Sequence, residues 1–294
     1  MQKLIVVKQL LRIQQWVKNL FLFIPIFFAG DLFELDKLSN VAMGFLAFCF
    51  ASSTIYILND IKDLKYDKLH PEKSKRPIPS GQVSVQQAYM VMFGMLILAV
   101  LFSFNLHRNF QLVLGSYVII NVFYSFGLKK MAIIDIVIVG SGFVLRTISG
   151  GILADVSVSY WLVIMIFLLS LFLVMGKRRE DIQEFLTTGR VLRKSIEKYN
   201  LEFIDSVLTM LSGVIIVSYI LYTISDDVVE RFNNDYLYLT SVFVIVGLMR
   251  YLQIILVENK SGSPVKVLYT DRFIHITLLL WVASFFVILY VLRS

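Results

Sequence analysis

The residues best able to do chemistry form a run of acids at positions 59–67, which reads Asn-Asp-Ile-Lys-Asp-Leu-Lys-Tyr-Asp. If this run is helical, its spacing places Asp60, Asp63 and Asp67 within about 60° of arc on one helix face. Three carboxylates this close repel one another unless a cation lies among them. Mg²⁺ prefers hard oxygen ligands and commonly uses one or two carboxylates together with substrate phosphates. The run therefore predicts a magnesium site.

The alternative for this run is a solvated helix of mixed charge, which is the usual meaning of alternating acids and bases. Lys62, Lys65 and Lys68 fall on other faces than the acids. Solubility alone does not explain why the acids gather on one arc, directly after a long apolar run. We therefore favour the metal site over the solvated helix.

The chain that carries these acids is strongly apolar. Of its 294 residues, 57% are hydrophobic and 17% are charged, and the mean hydropathy is +0.75. Soluble domains have about 25% charged residues, so we predict a chain embedded in lipid. Its single cysteine, Cys49, excludes an intrachain disulfide and a cysteine-ligated metal cluster. The net charge of +7 reflects membrane orientation in such a chain, and no nucleic-acid partner is predicted.

Apolar runs long enough to cross about 30 Å of hydrocarbon as helices recur along the chain. We predict an all-α membrane bundle of about nine transmembrane helices, forming one domain over residues 1–294. The predicted spans are 17–32, 38–59, 82–106, 109–128, 131–154, 156–176, 206–225, 236–257 and 273–292. The first is the shortest and contains Lys18 and Pro25, so an interfacial helix is the alternative for it.

Lysine and arginine are divided unevenly between the two sides of such a bundle. With nine spans, 22 of them lie on the side of the N-terminus and the acidic run, and 4 lie on the other side. Positively charged connections stay in the cytoplasm. We therefore predict a protein of the plasma (inner) membrane whose N-terminus and acidic run are cytoplasmic and whose C-terminus is exterior.

The acidic run also resembles a motif of a known family. Residues 59–67 match the Asn-Asp-x-x-Asp-x-x-x-Asp motif of UbiA-type intramembrane transferases. Residues 70–81, which begin with His70 and Pro71, resemble its continuation, Lys-x-Arg-Pro-(Ile/Leu)-x-x-Gly. Members of that superfamily are bundles of nine helices around a central cavity open to the cytosol. The resemblance implies this fold. It also implies that Asp60, Asp63 and Asp67 are catalytic and bind Mg²⁺ on a leaving diphosphate.

Five further motifs resemble one branch of the family, the phosphoribosyltransferases that act on decaprenyl phosphate. They are Gln15-Trp16-x-Lys18-Asn19, Tyr124-Ser125-x-Gly127-Leu128-Lys129, Arg146-x-Ile148-x-Gly150-Gly151, Gly176-Lys177-Arg178 and Gly262-Ser263-Pro264 with Asp271-Arg272. This resemblance implies transfer of 5-phosphoribose from 5-phosphoribosyl 1-diphosphate to a polyprenyl phosphate, with release of pyrophosphate. The predicted substrate-binding residues are Lys18, Asn59, Lys73, Arg76, Tyr124, Lys129, Lys177, Arg178 and Asp181.

Two other functions remain as alternatives. Within the family, a prenyltransferase would move a polyprenyl group from its diphosphate to an aromatic acceptor or to a quinone or haem precursor. Outside it, a transporter would be expected to show spans broken by Gly or Pro at matching positions, which this sequence does not have. The predicted partners are the lipid phosphate, the phosphorylated sugar donor and membrane lipid, with no prediction of oligomeric state.

Overall fold

Helices form nearly all of the regular structure in a computed structural model that describes residues 2–69, 72–188, 198–258 and 263–291. The α-helices are α1 (Gln2–Leu10), α2 (Ile24–Ala29), α3 (Leu35–Lys62), α4 (Leu64–Asp67), α5 (Val85–Ser103), α6 (Arg108–Phe126), α7 (Ile134–Ala154), α8 (Tyr160–Thr188), α9 (Leu201–Thr223), α10 (Asp226–Phe232), α11 (Ser241–Leu252), α12 (Pro264–Thr270) and α13 (Arg272–Phe286). The chain divides into two compact units, Met1–Val158 and Ser159–Ser294. The single domain and the central cavity stay predictions.

Eight helices among the described residues are long and apolar enough to cross a membrane. They cover Leu35–Lys62, Val85–Ser103, Arg108–Phe126, Ile134–Ala154, Tyr160–Thr187, Leu201–Thr223, Leu237–Val257 and Arg272–Val291. Seven agree with predicted spans to within about five residues at each end. The helix that begins at Tyr160 runs well past the predicted end at 176, because charged residues end an apolar run but do not end a helix.

A ninth apolar segment, Ile13–Ala29, is shorter than these eight; we call it the first segment. Its first part, Ile13–Phe23, is a 3₁₀ helix, and α2 completes it. A 3₁₀ helix rises about 2.0 Å per residue against about 1.5 Å in an α-helix, so the two parts together extend about 31 Å. That length matches a hydrocarbon core of about 30 Å. The first segment is therefore long enough to be the predicted ninth span.

The first segment runs antiparallel to α3. The Trp16 indole donates a hydrogen bond to Ser53 Oγ at 3.0 Å. Further along the segment, the Phe23 ring lies against the Phe45 ring with their centroids 5.7 Å apart. The contacts thus move back along α3 as the first segment advances. This pairing places the beginning of the first segment beside the end of α3 that carries Asp60.

Helix α7 packs against the first segment on another side. Gly150 lies directly against the backbone of Leu22, since a Cβ at Gly150 would overlap the Leu22 carbonyl oxygen and come within 2.7 Å of its carbonyl carbon. One helical turn earlier, Arg146 donates from Nε to Asn19 Oδ1 at 2.7 Å. Small residues allow helices in membranes to approach this closely. The two contacts fix the depth of the first segment against α7.

Arg146 is a buried cation whose hydrogen-bond partners within the described residues are neutral. Besides Asn19, the guanidinium donates to the Gly142 carbonyl at 2.7 Å and to Tyr117 Oη at 2.9 Å. Its Cζ lies 4.7 Å from the centroid of the Tyr117 ring. A charge inside a membrane span is costly unless polar groups surround it. The hydrogen bonds to Asn19, Gly142 and Tyr117 supply such polar groups, and they link the first segment, α6 and α7.

Residues 159–294 form a second helical unit in which α8 contacts several neighbours. Gly176 leaves room for Tyr251, whose ring carbon Cε1 would lie 2.9 Å from a Cβ at that position. Arg179 donates from Nε to Asp205 Oδ1 at 2.8 Å and from Nη1 to the Ile255 carbonyl at 2.5 Å. Ile255 belongs to a π-helical stretch, Gln253–Val257. Arg179 therefore holds α8 to α9 and to this stretch.

Candidate active site

Asp60 lies in the last turn of α3 and is only 3% exposed. Its Oδ1 accepts hydrogen bonds from two guanidinium groups. Arg76 donates from Nη1 at 3.0 Å, and Arg12 donates from Nη2. A buried carboxylate is costly unless it is paired and hydrogen-bonded. The two arginines meet that requirement for Asp60.

The α-helical structure is interrupted between Asp60 and Asp67. Helix α3 ends at Lys62, Asp63 has φ −90° and ψ 2°, and α4 then runs over Leu64–Asp67. The Asp67 amide donates to the Asp63 carbonyl at 2.9 Å, so the chain keeps a helical path across the interruption at Asp63. Arg76 Nη1, which already contacts Asp60, donates to Asp67 Oδ2 at 2.8 Å. Two of the three predicted carboxylates therefore meet at one nitrogen.

Asp63 faces a different cation. Lys129 Nζ lies 2.6 Å from Asp63 Oδ1 and 2.8 Å from Oδ2, and it lies 3.4 Å from Asn59 Oδ1. Lys129 belongs to the 3₁₀ turn Leu128–Lys130, which follows α6. Lys129 thus lies beside the acidic run and contacts Asn59, and both residues were predicted to bind substrate. Asp63 therefore pairs with Lys129, whereas Asp60 and Asp67 share Arg76.

Burial and neighbouring charges shift the pKa values of two ionisable groups after the end of α3, Asp67 and Arg76. Burial raises the pKa of the Asp67 carboxyl, whereas the nearby charges of Arg76 and Lys73 act to lower that pKa. Burial also lowers the pKa of the Arg76 guanidinium, and repulsion from Arg12 lowers it further. Asp60 and Asp67 oppose that shift by attraction. The two arginines repel each other, and Asp60, which accepts hydrogen bonds from both, offsets that repulsion.

The donor atoms of this group suit a magnesium ion. Asp60 and Asp67 offer hard oxygen atoms to one positively charged atom, Nη1 of Arg76, at 3.0 and 2.8 Å. Mg²⁺ in proteins is commonly held by one or two carboxylates, with waters and substrate phosphates completing its shell. Among the residues that the structure describes, no group of three or more His, Cys, Asp or Glu side chains is arranged to hold a metal ion. Two carboxylates fit this chemistry, and the three-ligand assignment stays a prediction.

A second group of charges lies on α8 in the other unit. Lys177 Nζ lies 2.6 Å from Glu180 Oε2 and 3.3 Å from Asp181 Oδ1, and Arg178 Nη1 lies 3.0 Å from Asp181 Oδ2. Arg178 and Asp181 are 3% and 5% exposed. These pairs have the three- and four-residue spacing of helix neighbours. The predicted residues Lys177, Arg178 and Asp181 therefore form one mixed-charge group.

The other predicted residues lie at several places in the first unit. Lys18 is half-buried in the first segment. Lys73 opens the 3₁₀ turn that leads to Arg76, and Tyr124 is buried near the end of α6. Three residues of the family motifs, His70, Pro71 and Gly262, lie outside the described residues.

Arg12 is the residue of this group that the sequence did not indicate. It precedes the motif at 15–19 and is separated from Asp60 by 48 positions. Its backbone has φ 51° and ψ 48°, which is uncommon for any residue but glycine. No local sequence signal marks a turn of this kind at an arginine. The nearest motif begins at Gln15, three residues after Arg12, and does not include it.

Comparison with known proteins identifies the family. Residues 20–277 match the family model of the UbiA prenyltransferase family. The chain belongs to this family. It is 32% identical to the decaprenyl-phosphate phosphoribosyltransferase of Mycolicibacterium smegmatis, over 93% of this chain and 89% of that protein. It is also 32% identical to the decaprenyl-phosphate phosphoribosyltransferase of Corynebacterium glutamicum, over 96% of this chain and 86% of that protein.

Solved structures show the same fold. A UbiA homolog from Archaeoglobus fulgidus, solved bound to DMAPP and Mg²⁺, aligns with a TM-score of 0.70 at 19% identity, over 97% of this chain and 99% of that one. A structure of a digeranylgeranylglyceryl phosphate synthase aligns with a TM-score of 0.64 over 98% of this chain and 99% of that one. These comparisons confirm the predicted family and the all-α membrane fold. They also confirm the prediction that the protein is a transferase.

Proposed function

We propose that this UbiA-family transferase moves 5-phosphoribose from 5-phosphoribosyl 1-diphosphate to a polyprenyl phosphate of the decaprenyl type. The observation that carries the proposal is the identity of 32% over 93% of the chain with a protein named decaprenyl-phosphate phosphoribosyltransferase. The charged groups around Asp60 support it, because they combine carboxylates for a metal ion with arginines for phosphate. We place these groups on the cytoplasmic side, where the excess of Lys and Arg residues lies.

The acidic pair would hold the donor through its diphosphate. Asp60 and Asp67, which already meet at one positive charge, are our candidates for the magnesium ligands, with Asp63 as the third predicted ligand. When bound, Mg²⁺ would act as a Lewis acid that neutralises charge on the departing diphosphate. Arg76 and Lys73 would then turn their charges towards the phosphoryl oxygens, for which a guanidinium fork is well suited.

The reaction needs a nucleophile, a leaving group and no strong base. An oxygen of the polyprenyl phosphate forms a bond to C1 of the ribose while the bond from C1 to the diphosphate breaks. The electron pair of that bond leaves with pyrophosphate. A phosphate monoester has its second pKa near 6 and is already mostly ionised at neutral pH. The protein therefore has to bind, orient and neutralise two anions, which the two arginines beside Asp60 can do.

The predicted residues of the second unit keep their proposed role in substrate binding. The donor carries a 5-phosphate besides its diphosphate and so requires more than one basic group. Lys177 and Arg178 are our candidates for further phosphate contacts, and Asp181 holds both of them in the structure. In this turn of α8, cations are followed by the acids that pair with them, which suits a site where a substrate phosphate replaces a carboxylate.

A transfer assay with two donors tests the proposed function. The purified protein is incubated in detergent with Mg²⁺ and either labelled 5-phosphoribosyl 1-diphosphate plus decaprenyl phosphate, or geranyl diphosphate plus an aromatic acid. We expect label in the lipid extract and one pyrophosphate per product in the first reaction, and neither without Mg²⁺. Product in the second reaction alone would show that the protein is a prenyltransferase and would refute the proposal.

A further inference from the structure

We propose that Arg12 binds the phosphate of the polyprenyl acceptor, on the membrane side of the acidic pair. This inference rests on the proposed function and adds a binding residue for its lipid substrate. Arg12 and Arg76 contact the same oxygen, Asp60 Oδ1, but they come from different parts of the chain. Arg76 follows the span that ends in Asp60, whereas Arg12 immediately precedes the apolar first segment.

The position of the Arg12 guanidinium is shown by its contact with an aromatic ring. Its Cζ lies 4.9 Å from the centroid of the Tyr56 ring. Tyr56 precedes Asp60 in α3 by one helical turn, which corresponds to about 6 Å along the helix axis. The guanidinium therefore extends from Asp60 towards the interior of the span. Arg76 instead contacts Asp60 and Asp67 together, on the side away from the span.

Contacts on both sides of Arg12 hold its backbone in place. Ser53 Oγ donates to the carbonyl of Leu11 at 2.8 Å, and Trp16 Nε1 donates to the same Ser53 Oγ at 3.0 Å. The Gln15 amide donates to the Arg12 carbonyl at 2.8 Å. Arg12 has a left-handed conformation between these contacts, which the surrounding structure must stabilise. These contacts hold the backbone of Arg12 in place, while the guanidinium at the end of its side chain remains able to change hydrogen-bond partners.

The guanidinium has hydrogen-bonding capacity for a second anion. Within the described residues, Nη2 is the guanidinium nitrogen of Arg12 that makes a hydrogen bond, although the group carries five N–H donors. The side chain is 23% exposed. Asp60 would keep Arg76 as a partner if Arg12 moved. Arg12 can therefore bind a phosphate without leaving a buried carboxylate unpaired.

The place of this guanidinium suits a lipid phosphate. A polyprenyl phosphate keeps its long chain in hydrocarbon and its charged head at the membrane boundary. Arg12 stands at such a boundary, because the 17 residues that follow it form the first segment. A guanidinium at the edge of a span is a strong site for phosphate oxygens. The water-soluble donor is expected on the side of Arg76.

Ligand binding can be measured without magnesium and without turnover. We would record the thermal unfolding of the wild-type protein, Arg12→Gln, Arg12→Lys and the control Lys8→Gln in detergent with EDTA. Lys8 is exposed in the last turn of α1. Farnesyl phosphate should stabilise the wild-type protein and Lys8→Gln, whereas farnesol should stabilise neither. The stabilisation should be absent in Arg12→Gln and reduced in Arg12→Lys, which keeps the charge but loses the fork.

Steady-state kinetics separates the two substrates. Loss of a charge-assisted contact should raise the apparent KM for the lipid phosphate by about 10-fold to 100-fold in Arg12→Gln. The apparent KM for 5-phosphoribosyl 1-diphosphate should stay within about twofold, since Arg76 remains. A rise in the KM for the donor alone, or stabilisation by farnesyl phosphate that is unchanged in Arg12→Gln, would overturn the proposal.

Two further results, a variant that does not fold and a wild-type protein that transfers no phosphoribose, still allow the proposal to be tested. If Arg12→Gln does not fold, the milder Arg12→Lys decides by the same two measurements. If the wild-type protein transfers no phosphoribose, the proposed function fails, while the response of each variant to farnesyl phosphate still decides whether Arg12 binds a lipid phosphate.

Discussion

Asp60→Asn is expected to lower kcat/KM for phosphoribosyl transfer by about 1000-fold, which corresponds to ~4 kcal/mol of lost transition-state stabilisation. Asp60 is buried and takes hydrogen bonds from two arginines through one oxygen. Asparagine keeps the shape of the side chain but lacks the charge that a metal ion and both guanidinium groups require. Rates at saturating and subsaturating donor, measured over a range of Mg²⁺ concentrations, check this prediction.

The matched control for this variant lies at the other end of the same helix. Asp36 is exposed in the first turn of α3, so Asp36→Asn removes an identical charge far from the acidic pair. This control is expected to keep kcat/KM within about twofold of wild type. Equal activity of Asp60→Asn and Asp36→Asn would exclude Asp60 from catalysis. Circular dichroism of both variants shows whether each remains folded.

Gly150→Ala is expected to destabilise the protein by about 3 kcal/mol and to lower activity with it. The added Cβ would overlap the Leu22 carbonyl, and a backbone atom cannot move aside as a side chain can. The first segment would have to shift away from α7. Because that segment begins next to Arg12, the displacement would also disturb the contact between Arg12 and Asp60. Thermal unfolding in detergent measures the loss.

A second glycine provides the comparison. Gly115 lies in α6, and a Cβ built there meets no atom within 4 Å. Gly115→Ala should therefore leave stability unchanged or raise it slightly, since alanine favours helix over glycine by about 1 kcal/mol. Unfolding of Gly150→Ala at the wild-type temperature would show that the first segment and α7 do not approach each other as closely as described.

Much of the fold followed from the apolar runs, because the hydrocarbon requires long helices whose backbone groups are satisfied internally. The predicted boundaries of most spans agree with the structure to within about five residues. The largest difference is at α8, which continues through Lys177 and Arg178 to Thr188. The sequence also did not reveal that Ile13–Phe23 is a 3₁₀ helix, since that geometry depends on contacts with α3 and α7.

The candidate site was predictable where its residues are close in sequence. The spacing of Asp60, Asp63 and Asp67 indicated a shared cation, and the structure places two of the three, Asp60 and Asp67, beside Arg76. Asp63 does not share Arg76 with them. The α-helix is interrupted at Asp63, and its side chain contacts Lys129, a residue 66 positions away. Arg12 was missed for a similar reason, as its contact depends on how the first segment packs against α3. Long-range pairing of this kind requires the fold and cannot be read from spacing.

The most direct test of the account is the binding of 5-phosphoribosyl 1-diphosphate to the purified protein, measured by isothermal titration calorimetry with Mg²⁺ and with EDTA. The account predicts binding to the wild-type protein and to Asp36→Asn only when Mg²⁺ is present, and a loss of that binding in Asp60→Asn. Binding that is equally strong in EDTA, or that survives in Asp60→Asn, would contradict the claim that this acidic pair captures a magnesium-bound diphosphate.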